Sequence, residues 1–105
     1  MVAGDSSEMD PTEKERLLIE LTRQLGPALE KAGVDPANLE DFATHGEWGL
    51  ALDTLLWALD EHAVVITPEQ YAEIASLGAA MQMDPSGWQR INAQGLVQKP
   101  GGHEA

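Results

Sequence analysis

The sequence predicts an all-α protein, a compact bundle of four to five helices, on three observations. Four segments open with a capping side chain followed by proline: Asp10-Pro11, Asp35-Pro36, Thr67-Pro68 and Asp84-Pro85. The Asp or Thr oxygen accepts a bond from the first free amides of a helix. Proline suits the first helical position because its missing N–H would have had no partner there. Behind these starts, apolar residues recur at helical spacing. Gly33 and Gly46 then stand where two of the patterns stop, as left-handed caps do.

Taken in order, the first helix runs from about Pro11 to Ala32. Leu18, Leu21, Leu25 and Leu29 form its apolar stripe, and Gly26-Pro27 kinks it. A short second helix, about Pro36 to His45, offers Leu39, Phe42 and Ala43 to the core. The third, about Glu47 to His62, is followed by a brief VVI connection expected to be buried and extended. The fourth, about Pro68 to Gln82, packs Tyr71, Ile74, Leu77 and Met81. Gly78 inside it costs about 1 kcal/mol relative to alanine, which points to a close helix crossing. DPSGWQRI makes a last helix of one or two turns that brings Trp88 and Ile91 together. Glu13 and Gln70, and more weakly Asn38, stand at capping-box positions. A single domain over residues 10–97 follows, with frayed ends at 1–9 and 98–105.

Composition limits function. The 105 residues, 43% of them apolar, suffice for one core. The absence of cysteine removes disulfides, thiolate metal sites and thiol nucleophiles. The longest apolar run, LLWAL, is far too short to span a bilayer, so no membrane role is expected. Eighteen acids against six bases give a net charge of −12, and no Lys or Arg occurs between Ala32 and Gln89. Such a field keeps small proteins apart in solution, and it also attracts cationic partners and speeds their association. Direct nucleic-acid binding is disfavoured, because phosphates would be repelled.

No catalytic signature emerges, and no cofactor is expected. His45-Gly46-Glu47 has the H-x-E spacing of zinc deaminases without the cysteine pair that completes such a site. No serine lies in a G-x-S-x-G turn. Ser86 lies outside the Asp-Ser-Leu-like turn that an acyl-carrier protein needs for its prosthetic arm.

The stretch HGEWGLALDTLLWALDEH, residues 45 to 62, carries two tryptophans, five leucines and four carboxylates without a Lys or Arg. At 100° per residue, Trp48, Leu52, Leu55 and Leu59 fall within about 60° of one another, with Ala51 and Leu56 at the margins. That is the core stripe. Leu50 and Trp57 point almost the opposite way, surrounded by Asp53, Asp60 and Glu61. An aromatic anchor ringed by carboxylates suits an interface with a basic partner. The competing reading is that Trp57 is covered by the first helix or by the C-terminal segment.

HGEWGLALDTLLWAL, DEHAVVITPEQYAEIASLGAAM and MDPSGW together resemble the MafI-type immunity proteins, small antidotes that accompany polymorphic bacterial toxins and protect the producing cell. The matching features are Gly46, Glu47 and Trp48, then Ala51, Leu52, Leu55 and Leu59. After these come Ile66-Thr67, the helix with Tyr71 and Ile74, and a closing Asp84-Pro85-x-x-Trp88. The resemblance covers roughly Val34 to Ile91 and rests on fold-setting residues. It implies a non-enzymatic inhibitor in the bacterial cytoplasm that binds one cognate toxin domain one-to-one. Many such toxins are basic and act on nucleic acids as nucleases do. The assignment of Leu50, Asp53, Trp57, Asp60 and Glu61 to the partner surface comes from helix geometry alone. The alternative is a small acidic adaptor or regulatory domain without a toxin partner.

Overall fold

Each of the four proline-marked signals leads into a helix in the computed structural model, which describes residues 9–98. Helix α1 (Pro11–Gln24) starts where the Asp10 carboxylate accepts the Glu13 N–H at 2.9 Å. Helix α3 (Pro36–Thr44) starts where Asp35 accepts the Ala37 N–H at 3.0 Å. Before α5 (Pro68–Ala80), Thr67 and Gln70 exchange both bonds of a full capping box. The fourth signal falls one residue early: Asp84 accepts the Ser86 N–H at 3.0 Å, but Pro85 itself, at φ −61° and ψ −21°, is the N-cap of α6 (Ser86–Ala93), which has no side-chain cap. The Ser86 backbone bond, and after it the Ser86 side-chain bond, holds the Asp84 carboxyl below the usual aspartate value. Helix α4 (Trp48–Glu61) has no side-chain cap of its own.

The helix expected from Pro11 to Ala32 is two helices, which raises the number among the described residues to six. Pro27 has no N–H to continue the ladder, and the break falls at Leu25, with φ −97° and ψ 7°. Helix α2 (Gly26–Lys31) follows directly, and buried Leu25 and Leu29 keep the apolar stripe in register across the break.

Five helices end in the same way. The residue after the C-cap takes a positive φ at Gly33, Gly46, Ala63, Gln82 and Gly95. The next amide then donates five residues back: Val34 to Leu29, Glu47 to Phe42, Val64 to Leu59, Met83 to Gly78 and Leu96 to Ile91, at 2.8–3.1 Å. This satisfies carbonyls that a helix end would otherwise leave free. Two of the five positions carry a Cβ that a left-handed residue accommodates poorly. Ala63, at φ 50°, is exposed and shows this most simply. Ala63→Gly is expected to stabilise the fold by about 0.5 kcal/mol. That is the relief of a left-handed alanine less the extra chain entropy of glycine. A raised urea midpoint is the expected reading, and a lowered one would show that the Ala63 methyl contributes packing.

Helix α4 lies at the centre and packs against α1, α3, α5 and α6. It buries Ala51, Leu52, Leu55, Leu56, Ala58 and Leu59, and these join Leu18, Leu21, Leu29, Leu39, Ile74, Leu77 and Ile91 in one core. Each fully buried leucine contributes about 1.5–3 kcal/mol of transfer free energy. Trp48 sits at the rim of this core, only half-buried, and does a different job. Its indole N–H donates to the Ala43 carbonyl at 3.0 Å, and Lys14 lies 5.0 Å above its ring, so it clasps α3 and α1. Trp88 covers the core with 6% exposure and lies against Gly78. The close crossing expected at that glycine is therefore one with an indole ring.

Only part of the VVI connection is buried. Ile66 is 1% exposed, Val64 is half-buried and Val65 is 52% exposed. Ile66 and Val97 form an isolated parallel bridge, with Ile66 N–H to the Leu96 carbonyl and Gln98 N–H to the Ile66 carbonyl, both at 2.8 Å. The ends read as frayed lie outside the described residues except for Met9, which packs on the core, and Gln98, held in this bridge. No helix among the described residues is long and apolar enough to cross a membrane.

Candidate protein-interaction surface

The outward face of α4 follows from its own periodicity. Six buried positions turn one side of the helix inward, and Leu50, Asp53, Trp57 and Glu61, spaced three or four apart, are left on the other. Leu50 is 47% exposed and Trp57 53% exposed; with Val65 they are the exposed large apolar residues among those described. Glu61 lies eleven positions beyond Leu50, so this stripe extends about 16 Å along the axis.

The stripe borders a groove whose opposite wall is the α5–α6 turn and the start of α6. One depression of about 630 Å³ is bounded by Leu50, Asp53 and Leu56 on one side and Met83, Asp84 and Gly87 on the other. A second, of about 320 Å³, continues it past Trp57, Asp60, Glu61 and Arg90. Asp53, Leu56 and Gly87 belong to both, so the two form one trough. Gly87 keeps its floor low, because a Cβ there would stand 3.4 Å from the Leu56 side chain.

All five residues assigned to the partner surface therefore line a single trough, but they are not equivalent. Asp53 and Glu61 are exposed and form no ion pair among the described residues. Asp60 is half-buried and already engaged. Its Oδ2 receives Arg90 Nη2 at 3.2 Å, and its Oδ1 accepts from the Gln94 side-chain amide. Trp57 is covered by neither α1 nor α6; its ring meets His62 edge-on, with centroids 6.1 Å apart.

Sequence reasoning did not include the far wall. Met83, Asp84, Gly87 and Arg90 come to the trough, and Gln94 to Asp60, only through the packing of α6 on α4, and the one available signal was Arg90. It is the sole base between Lys31 and Lys99, and an isolated cation in an acidic stretch marks a place where one carboxylate is to be neutralised.

Elsewhere several polar groups tie the helices together or bond within them. Arg23 pairs with Glu40 at 3.3 Å across α1 and α3, and Thr22, 2% exposed, donates to the Leu18 carbonyl at 2.7 Å. Exposed His45 turns to the Asp41 carbonyl at 2.8 Å in the last turn of α3. Among the described residues no three His, Cys, Asp or Glu side chains come together to hold a metal ion. Compared with known proteins, the chain matches no family model, no curated sequence and no solved structure.

Proposed function

We propose that this protein is an antidote that binds a basic toxin domain one-to-one through the outer face of α4 and neutralises it in the bacterial cytoplasm. The observation that carries the reading is the half-exposed Trp57, with Leu50 beside it, in a trough whose Asp53 and Glu61 have no cationic partner among the described residues. An exposed indole with a polar rim is the composition from which interface hot spots are made. The charge of −12 adds a long-range attraction for a basic domain and repels nucleic acid. An acidic protein seated on a cationic substrate groove would exclude a phosphate-bearing substrate from it. The resemblance of residues 34–91 to MafI-type immunity proteins supports the same reading from the side of the core residues.

Growth is the direct test. A sensitive bacterium expressing the toxin domain encoded beside this protein is expected to grow when the protein is co-expressed and to arrest when it is not. Arrest in both cases, with the protein folded and the toxin active, would turn the reading toward a general acidic adaptor.

A further inference from the structure

Arg90 is the one Lys or Arg that lines the trough, and it sits on Asp60, which lines the second depression together with Trp57. The pair is lopsided: the Arg90 side chain is 66% exposed and the Asp60 side chain 24%. The guanidinium thus lies outside a carboxylate that is held firmly within the wall and fixed on its other oxygen by Gln94. With its guanidinium largely in solvent, Arg90 is the loosely held member of this pair.

We propose that Arg90 occupies the place of a partner's guanidinium. On this inference, which rests on the α4 face being the partner surface, the trough takes a segment of a basic protein carrying an arginine beside an apolar side chain. The incoming guanidinium replaces Arg90 on Asp60 and stacks against the Trp57 ring, while the apolar neighbour fills the space over Leu56 and Gly87. Arg90 turns out to solvent. Arginine fits better than lysine because Asp60 is already met by planar N–H donors, which a guanidinium reproduces as a fork and an ammonium does not. A guanidinium also gains from the face of an indole. Asp53 and Glu61, at either side of Trp57, serve further cations of the same segment. Arg90 thereby sets selectivity: it keeps Asp60 neutralised until a ligand matches it in both charge and shape.

The experiment uses the full chain and a capped nine-residue peptide of alternating arginine and leucine, with lysine and citrulline counterparts. Binding is followed by backbone amide shifts and titrated at low ionic strength. The arginine peptide is expected to shift amides of α4 and α6, to bind several-fold tighter than the lysine peptide, and to exceed the citrulline peptide by more. Arg90→Gln, which frees Asp60, is expected to tighten binding three- to tenfold. Arg16→Gln makes the same change in net charge away from the trough, where Arg16 pairs with Glu20, and is expected to change affinity less than twofold. Asp60→Asn is expected to weaken binding and to abolish the effect of Arg90→Gln. Amide spectra and thermal unfolding of each variant establish that it is folded. If the shifts fall on α4 and α6 but Arg90→Gln leaves affinity unchanged or weaker, Arg90 is no placeholder and the inference fails while the α4 surface stands. If no shifts occur, or if they fall elsewhere, both fail.

Discussion

Gly78→Ala is expected to destabilise the protein by about 3 kcal/mol, although alanine is the better helix former by about 1 kcal/mol. The added Cβ would stand 2.0, 2.5 and 2.7 Å from three ring carbons of Trp88, where carbon atoms at rest are about 3.5–4.0 Å apart. The indole is rigid and buried, so it has no free end that could turn aside. Relief requires α6 to move away from α5, which would uncover Ile91 and shift the wall of the trough that carries Gly87 and Arg90. Urea unfolding gives the destabilisation directly. Trp88→Leu supplies the control, because a shorter side chain leaves room for the methyl. In that background Gly78→Ala is expected to be nearly neutral, giving a coupling of about 2 kcal/mol or more between the two positions. A Gly78→Ala protein as stable as the parent would mean that α5 and α6 can part at little cost.

That contact shows where sequence reading reaches and where it stops. A glycine inside a helix costs stability, so its presence in α5 points to a close neighbour; nothing local says that the neighbour is Trp88. The starts of α1, α3 and α5 were legible because each depends on a few adjacent residues, as at Asp10-Pro11 and Thr67-Pro68. The separate start of α2 at Gly26 has no side-chain cap to announce it. The orientation of Trp57 away from the core was legible because it needs only the 100° step of one helix. The ends of α4 and α5 were less so, since Ala63 and Gln82 take the left-handed conformation without being glycine. Their place is enforced by Val64 and Met83, which bond back into the preceding helix. Least legible was the far wall of the trough. Asp60 and Arg90 are thirty positions apart, and their pairing depends on how α6 packs against α4, which no local pattern in either helix states. Asp60 read from its own helix is a free acid; read in the fold it is half of a pair.

Trp57→Ala is expected to weaken binding of the toxin domain used in the growth test by about 2 kcal/mol or more, roughly a thirtyfold loss of affinity. Stability should hardly change. The residue is 53% exposed, and its one aromatic neighbour among the described residues is His62, met edge-on, so truncation opens no cavity in the core. The variant therefore separates binding from folding, which substitutions at Trp48 or Trp88 would not. The urea midpoint should stay close to that of the parent, while rescue of growth is reduced or lost. Trp57→Phe should recover part of the affinity, because it keeps a flat apolar ring. The combined Asp53→Asn and Glu61→Gln variant should act differently, slowing association and flattening its dependence on salt, since exposed rim charges steer more than they hold. The two kinds of defect are distinct in kinetics: faster dissociation for the lost anchor, slower association for the lost field. If Trp57→Ala binds within twofold of the parent, the outer face of α4 is not the anchor. If it unfolds, the indole contributes to the core despite its exposure. Only faster dissociation in a folded protein fits an anchor set among charges, because on the proposed reading steering would bring a basic surface to α4 and the indole would keep it there.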